Sequence, residues 1–321
     1  MVMAGREARQ GYCYPPIMPA SPLPRWIGIL ALAGLVWSCR GPETATPLDL
    51  KPGTSLAVWS YRDLAGSPTE RSAFFAFAAQ RQVRDLYLGA AELLPRKAEA
   101  LATLVEEAGR HGIQVSLVLG RAAWTRPGQR AAALEAVRAV RDFDLAQAQA
   151  GRTRLASLQL DVEPHTLPEW GRDSSRLSSQ FLDLLEAVKP ELAGGPPLYA
   201  AIPVWWHGRA VKRGGKTRPL SDWVIQLTEG TVLMDYRVRP EGILEGAEAP
   251  LAAADALGRP VVVGLALHCD KDPENAVTSF CRQGEGALRK AMRKTEGRLA
   301  RHRQFKGFAL FTYEDWLILK P

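Results

Sequence analysis

Short apolar runs alternate with amphipathic stretches along this chain from Ser55 onward. Eight of the apolar runs have the length and composition of buried strands. They are SLAVWSY (55–61), VRDLYLG (83–89), IQVSLVLG (113–120), LASLQLDVE (155–163), PLYAAIPVW (197–205), GTVLMDY (230–236), PVVVGLALH (260–268) and FKGFALFTY (305–313). Helical patterns fill the intervals between them, at 69–81, 95–111, 129–150, 174–188, 221–228, 245–257 and 285–302. Strands that alternate with helices predict a parallel sheet with βαβ crossovers.

The number of strands separates two parallel-sheet architectures. Eight strands over about 250 residues favour one closed (β/α)8 barrel, the TIM barrel. An open doubly wound sheet suits fewer strands and usually has a glycine-rich turn after the first one, but RDLAGS follows the first run here. The chain ends at Pro321, so we expect the barrel to lack its final helix or to cover that gap with residues 40–54.

The fourth run contains two carboxylates in an otherwise apolar strand. Side chains alternate along a strand, so Gln159, Asp161 and Glu163 of LQLDVEPH share one face. In a barrel this face points into the lumen. Its last residues lie at the C-terminal rim, where the active sites of barrel enzymes are found. The two acids are then roughly 6.5 Å apart, close enough to separate their pKa values. One of them keeps a proton near neutral pH, as a general acid requires.

Composition excludes a disordered chain, because 46% of the 321 residues are hydrophobic and can bury a large core. The net charge of +7 comes from basic residues spread over nearly every segment. Because no basic stripe with interleaved aromatic residues occurs, we expect no nucleic-acid partner. We also expect no cofactor and no metal ion.

The N-terminus predicts export with a lipid anchor. Arg25 precedes a 12-residue apolar run from Trp26 to Trp37, which is too short to span a bilayer and suits a signal peptide. The sequence VWSC ending at Cys39 is similar to a bacterial lipobox, in which the cysteine carries the lipid, although Trp is unusual there. We therefore interpret residues 1–38 as a signal peptide, with Met18 as an alternative start.

The segment after the predicted lipidation site is rich in Pro and Thr and has no periodicity, which indicates a tether over 39–54 and a barrel domain over 55–321. We expect a cell-envelope lipoprotein on the periplasmic or outer-membrane face. Secretion without the lipid and a retained anchor are the alternatives. Disulfides persist outside the cytoplasm, so Cys269 and Cys281 are expected to pair. Two separate thiols are the alternative, and the spacing fits no familiar zinc site.

Four segments resemble parts of the family 18 glycoside hydrolases, the chitinase family. LQLDVEP resembles the end of the fourth-strand motif DxxDxDxE, with Asp161 and Glu163 at its last two acids. VLMDYR resembles the sixth-strand MxYD, with Met234 and Tyr236 at its Met and Tyr. LYAAIPVW is similar to the fifth strand, and KGFALFTYEDW to the eighth-strand segment that supplies a Trp to the sugar site. The resemblance covers about half of the chain.

The resemblance implies hydrolysis of a polysaccharide that contains N-acetylated amino sugars. In that family the substrate's own acetamido group is the nucleophile. Glu163 would then be the general acid/base, Asp161 would orient the acetamido group, and Tyr236 would donate a hydrogen bond to it.

Three positions depart from the family motifs. Ala156 and Gln159 replace the first two acids of DxxDxDxE, and Arg237 replaces the final Asp of MxYD. These departures indicate a divergent branch. They also support a second hypothesis, a catalytically inactive envelope lipoprotein that binds glycan.

Other strand ends carry candidate substrate contacts. Indoles there could stack on a pyranose ring or pack as core in the barrel mouth. They are Trp59, Trp205, Trp206 and Trp316. Asp235 and Glu314 could supply the second carboxylate of a conventional two-acid mechanism, or could form salt bridges at the rim. Gln159 is a further candidate contact, and His165 and His268 are predicted to be polar rim residues.

The lipid anchor predicts a covalent modification. Expressed in a bacterium with lipoprotein processing, the chain should incorporate labelled fatty acid and enter the detergent phase, and Cys39→Ala should abolish both. Equal labelling of the Cys39→Ala variant would contradict the prediction.

Overall fold

The computed structural model describes residues 48, 50–90, 93–269 and 277–321. The predicted signal peptide, the predicted lipidation site Cys39 and most of the predicted tether lie outside these residues. No helix in the described part of the chain is long and apolar enough to cross a membrane.

Eight parallel strands close into a barrel. They are β1 (Ser55–Ser60), β2 (Asp85–Gly89), β3 (Gln114–Leu119), β4 (Ser157–Leu160), β5 (Leu198–Pro203), β8 (Gly230–Met234), β9 (Val261–Ala266) and β10 (Phe305–Phe311). Each strand pairs with the next in this order, and β10 pairs with β1 to close the ring. The predicted TIM barrel is confirmed, and every predicted apolar run contains one strand.

Helices cover the outside of the barrel. They are α1 (Pro68–Arg81), α2 (Ala98–Arg110), α3 (Arg130–Gln149), α4 (Trp170–Glu191), α5 (Leu220–Leu227), α6 (Pro240–Leu257), α7 (Gly284–Leu299) and α8 (Tyr313–Ile318). Local signals explain the start of α1, because Pro68 is its first residue and the Ser67 hydroxyl accepts the N–H of Glu70.

The barrel has an eighth helix, which corrects the expectation that it is missing. α8 is only six residues long. Thr312 caps it by accepting the N–H of Asp315, and the short helix still buries Tyr313 and Trp316. The end of the predicted tether also packs on the barrel, because Leu48 is 1% exposed and the N–H of Lys51 donates to Glu296 of α7.

Several predicted strands continue beyond the observed ones at the C-terminal rim. β4 pairs with β5 only from Leu158 to Leu160, so the backbone after Leu160 is no longer part of the sheet. β5 likewise ends at Pro203, and residues Val204–Gly208 form a 3-10 helix. The acids at 161 and 163 therefore lie on a loop directly after β4 rather than inside it.

A hairpin that we did not predict follows β5. It consists of β6 (Ala210–Arg213) and β7 (Lys216–Pro219), which pair antiparallel. Gly214 and Gly215 form its turn, with φ values of +56° and +77°. A two-residue turn with positive φ at both positions favours Gly-Gly, so this dipeptide was a usable signal.

Side chains alternate between an outer core under the helices and an inner cluster in the lumen. Leu158, Leu160 and Val162 lie in the outer core and are at most 1% exposed. Val118 belongs to the inner cluster and pairs in register with Gln159. Neighbours in register point to the same side of a sheet, so the polar face of the fourth run faces the lumen.

Closure of the barrel depends on a glycine in β10. Gly307 has φ of +140°, and a Cβ at this position would lie 1.9 Å from the carbonyl oxygen of Ser55 in β1. The close approach lets Gly307 pair with Ser55 of β1 at the point where β10 shifts its register against β9. A side chain would push the two closing strands apart.

We predict that Gly307→Ala lowers the free energy of unfolding by more than about 1 kcal/mol, because it combines backbone strain with a backbone clash. Gly286→Ala in α7 is the matched control, since a Cβ there meets nothing within 4 Å. The control should be neutral or stabilising by about 0.5 kcal/mol. Denaturant unfolding of the two variants measures this, and equal midpoints would contradict the prediction.

Candidate active site at the C-terminal rim

Backbone contacts hold the segment that carries the carboxylate pair, at Asp161 on one side and at Glu163 on the other. The N–H of Asp161 donates to the carbonyl of Leu119 at 2.8 Å. Gly120 lies so close that its Cβ would be 1.8 Å from the Asp161 carbonyl oxygen, so this approach requires a glycine. After Glu163 the chain turns, and Thr166 donates its N–H and its hydroxyl to the Glu163 carbonyl at 3.0 and 2.8 Å.

Burial raises the pKa of both carboxyl groups. Burial, together with repulsion from Glu163, raises the pKa of Asp161 from 3.8 to about 7. Burial also raises the pKa of Glu163. Asp161 Oδ1 is buried without a hydrogen-bond partner among the described residues, whereas the Glu163 side chain is 36% exposed. The pair therefore holds a proton near neutral pH, and Glu163 is the member that a ligand can reach.

A cluster of aromatic side chains lies beside Glu163. His165 Nε2 is 3.6 Å from Glu163 Oε1. The His165 ring contacts Trp170, Trp205 and Trp206, with centroids 6.2, 5.4 and 5.9 Å away. Burial lowers the pKa of His165 to about 4. Because the imidazole is neutral near pH 7, it leaves the proton of the carboxyl pair in place.

The tryptophans after β5 have different environments. Trp205 is 46% exposed, so its indole face is accessible to a ligand, and its predicted stacking on a sugar ring stays a prediction. Trp206 is fully buried and packs on Phe181 at 5.3 Å, so it belongs to the core and not to a binding surface. The guanidinium of Arg209 lies 4.8 Å above the Trp170 ring. No sequence pattern indicated Arg209, because its contact depends on how the loop after β5 packs against α4.

Trp59 and Gln159 lie inside the lumen. Trp59 is 1% exposed and packs edge-to-face on Tyr87 and Phe311, with centroids 5.1 and 5.8 Å away. This placement agrees with the alternative that Trp59 packs as core in the barrel mouth, and corrects its prediction as a substrate contact. Gln159 is 1% exposed, and both polar atoms of its amide lack a partner among the described residues.

Trp316 does not belong to the rim. It lies in the outer core on α8, 1% exposed, and packs on Phe77 of α1 at 5.1 Å. The guanidinium of Arg81 covers the other part of the ring at 5.1 Å. The predicted sugar contact is wrong at this position, because the indole is buried between α1 and α8.

Asp235 also lies away from the lumen. It is fully buried and faces α6, where a Cβ on Gly246 would lie 2.7 Å from its Oδ2. Burial raises its pKa to about 7, against a lowering effect of Arg237, whose Nη1 is 3.5 Å away. The prediction of a substrate contact or nucleophile is wrong here, since Asp235 follows the outward-facing Leu233 by two residues.

Glu314 connects α8 to the end of β1. Its Oε1 accepts the Ser60 hydroxyl at 2.7 Å and the N–H groups of Tyr61 and Arg62 at 2.9 and 3.0 Å. Oε2 is buried without a partner among the described residues. Three donors on one oxygen stabilise the carboxylate and weaken it as a nucleophile.

Tyr236 and His268 form the opposite part of the rim. Tyr236 packs on the inner cluster, 6.0 Å from the Phe311 ring and 6.4 Å from that of His268. The His268 carbonyl accepts the hydroxyl of Ser279 at 2.7 Å. Just beyond His268, Cys269 and Cys281 form a disulfide with their Cα atoms 5.1 Å apart. The disulfide holds this part of the rim to the segment that leads into α7.

In the part of the chain that the structure describes, no cluster of His, Cys, Asp and Glu is arranged to hold a metal ion. No protein-family model matches the chain, and no curated protein matches it.

Solved structures match the barrel. A chitinase from Bacteroides thetaiotaomicron has a TM-score of 0.51 at 10% identity and covers 82% of this chain and 90% of its own. The intracellular xylanase TsXylA from Thermoanaerobacterium saccharolyticum has a TM-score of 0.53 at 11% identity, over 82% and 86%. A GH5_18 protein from Bifidobacterium longum, solved with Manb1-4GlcNAc, has a TM-score of 0.50 at 14% identity, over 81% and 69%.

The chain has the same (β/α)8 barrel fold as these structures. Identities of this size show the fold alone, so any statement about chemistry depends on the residues of the rim.

The raised pKa of Asp161 predicts a pH dependence of stability. Its pKa in the folded chain, about 7, exceeds the ordinary value of 3.8, so the folded state binds this proton more tightly than the unfolded state does. Stability therefore falls as the pH rises from about 4 to about 7. Asp161→Asn removes the ionisation, so this variant should be more stable than the wild type above pH 7, by a margin that shrinks toward pH 4.

Denaturant midpoints at about pH 4.5 and 7.5 measure this margin. The exposed Asp142→Asn is the control and should not change with pH relative to the wild type. A constant difference between the wild type and Asp161→Asn would contradict the prediction.

Proposed function

We propose that this protein is a glycoside hydrolase that cleaves a polysaccharide containing N-acetylated amino sugars, with Glu163 as the general acid/base. The observation that supports this most directly is the carboxyl pair after β4. It holds a proton near neutral pH, and its reachable member, Glu163, lies 3.6 Å from His165, whose ring contacts the exposed indole of Trp205. The export predicted from residues 1–39 would bring the enzyme to extracellular or envelope polysaccharide.

The proton of the pair supplies the first step. Glu163 donates a proton to the glycosidic oxygen while the bond from that oxygen to the anomeric carbon breaks. The acetamido carbonyl oxygen of the substrate attacks the same carbon and forms a cyclic intermediate. Asp161 and Tyr236 hold the acetamido group in the attacking position, which replaces an enzyme nucleophile. Water, deprotonated by Glu163, then opens the intermediate and returns the proton to the pair.

The placement of the other acids supports this assisted route over a two-carboxylate mechanism. Asp235 faces α6 and cannot reach a sugar in the lumen. Glu314 is engaged by three donors through one oxygen. Neither carboxylate is free to attack a sugar at the rim. The acetamido oxygen of the substrate is therefore the better candidate for the nucleophile.

The aromatic groups near Glu163 could bind the sugars on either side of the cleaved bond. Trp205 offers an exposed indole face, and the Arg209 guanidinium over Trp170 stiffens the neighbouring ring. An indole next to the acid would place the leaving sugar so that its glycosidic oxygen meets Glu163.

A second candidate function is glycan binding without catalysis. Two observations favour it: Gln159 takes the place of a motif acid, and among the described residues Asp161 Oδ1 has no hydrogen-bond partner that would tune it. Such a protein would still bind glycan through its aromatic surface but would not hydrolyse it.

Glu163→Gln separates the two functions. For a hydrolase we expect the rate to fall about 10²–10⁴-fold with affinity retained, because the amide cannot donate or accept the catalytic proton. Wild-type and variant chains would be screened by mass spectrometry on chitin, peptidoglycan and β-glucan fragments. Glu241→Gln, an exposed acid in the first turn of α6, is the matched control and should behave as the wild type.

A wild-type chain that binds one of these glycans and cleaves none supports the inactive binder. Full activity of Glu163→Gln would rule out the assignment of the general acid.

The assisted route predicts a role for the acetamido group and for Tyr236. A thiazoline mimic of the cyclic intermediate should bind more tightly than the substrate, because the site would stabilise that state. Tyr236→Phe should weaken the mimic by roughly 1–3 kcal/mol, since it removes one hydrogen bond to a buried group. Equal hydrolysis of matched glucosyl and N-acetylglucosaminyl substrates, without affinity for the mimic, would contradict this route and move the nucleophile to Glu314.

A further inference from the structure

A cavity of about 410 Å³ opens at the end of the barrel opposite to the carboxylate pair. Lumen-facing residues in the first half of β1 to β5 line it. They are Ser55, Asp85, Ser116, Ser157 and Tyr199. Barrel interiors are ordinarily filled by layers of bulky branched residues. A layer of short hydroxyl side chains, one carboxyl and a phenol is therefore unusual for this position.

Two glycines lie in the strands beside the cavity. Gly230 begins β8 beside Tyr199, and Gly307 of β10 lies between Ser55 and Val262 in the sheet register. Neither contributes a side chain to this layer. The Tyr199 ring occupies the space over Gly230, and the short side chains of Ser55, Ser116 and Ser157 leave the remaining volume unfilled.

Polar groups surround the cavity in contact with one another. The Ser55 hydroxyl donates to Asp85 Oδ2. The hydroxyls of Ser116 and Ser157, each at most 4% exposed, lie 2.7 Å apart. One of these two hydroxyls donates to the other, so a donor remains for a third group.

The carboxyl group lies close to two phenols. Burial raises the pKa of Tyr87 and of Tyr199, and the charge of Asp85 raises both further. Tyr87 is 5% exposed and lines the cavity as well. Burial also raises the pKa of Asp85 itself. The wall thus combines one carboxyl with two phenols and offers both donors and acceptors at short range.

We propose that this cavity binds a neutral polyol the size of a monosaccharide. Its volume falls in the range of about 300–1,000 Å³ that is usual for small-molecule sites. Serine and tyrosine hydroxyls both donate and accept, which matches the hydroxyl groups of a sugar. Arg84 and Lys306 also line the cavity, and the proposal rests on the hydroxyl groups rather than on these charges. This site uses no residue of the carboxylate pair and does not depend on the proposed function.

Ligand-observed NMR and calorimetry with glucose and N-acetylglucosamine test the proposal on the full chain. A ligand of about 12 non-hydrogen atoms should bind with a dissociation constant on the order of 1 mM. Ser157→Leu fills the cavity and should weaken binding at least about tenfold. Glu241→Gln on α6 lines neither end of the barrel and should leave this binding as in the wild type, whereas Trp205→Ala reports any sugar held at the opposite rim.

Tyr199→Phe is the second variant, because it keeps the ring over Gly230 and removes one hydroxyl. It should weaken binding several-fold even if Ser157→Leu fails to fold, and thermal unfolding of each variant reports on folding. Absence of binding up to about 20 mM sugar, well above the expected constant, would overturn the proposal. Binding that Trp205→Ala abolishes and Tyr199→Phe leaves intact would also overturn it, since the sugar would then occupy the rim.

Discussion

The alternation of side chains along a closed ring of strands is the constraint on which this structure depends. A closed sheet has no edge, so every second residue of eight strands must fit into one lumen. Gly307 makes the closure possible by letting β10 approach the Ser55 carbonyl of β1. Once the ring is closed, the direction of every strand side chain is determined, and the polar residues of β4 must face inward.

The lumen is not uniform along its axis. Its middle is filled by aromatic and aliphatic residues such as Trp59, Tyr87 and Met234, which pack against one another. This plug separates the carboxylate pair at the C-terminal rim from the polar cavity at the opposite end. Each end therefore has its own solvent access and its own chemistry, and substitutions at one end are expected to add independently to those at the other.

Burial of the carboxylate pair lowers the stability of the folded chain when the acids are ionised. Burying two acids side by side disfavours their ionised forms, and the nearest imidazole, His165, is neutral because it is itself buried among indoles. No cation pairs with Asp161 in the described part of the chain, so the pair keeps a proton instead of a salt bridge. Buried groups of this kind are typical of functional sites, which supports assigning the chemistry to this position.

The sequence by itself determined the barrel and the inward direction of Gln159 in β4, because the period-two pattern of LQLDVEP depends only on local geometry. It also indicated Trp205 as a rim aromatic. The tertiary structure decided which of the tryptophans near strand ends are buried and which are exposed. Trp59 and Trp206 pack as core and Trp316 lies between two helices, since a tryptophan near a strand end looks alike in sequence whichever way its loop turns.

The tertiary structure also decided the positions of the remaining acids, Asp235 and Glu314. Asp235 faces α6 because it lies in phase with the outward-facing Leu233, and Glu314 binds the end of β1 from a short helix that the pattern did not predict. The approach of Arg209 to Trp170 joins residues 39 positions apart. Local periodicity specifies which face of a strand a residue occupies, whereas the contacts beyond the strand depend on the packing of loops that carry no period.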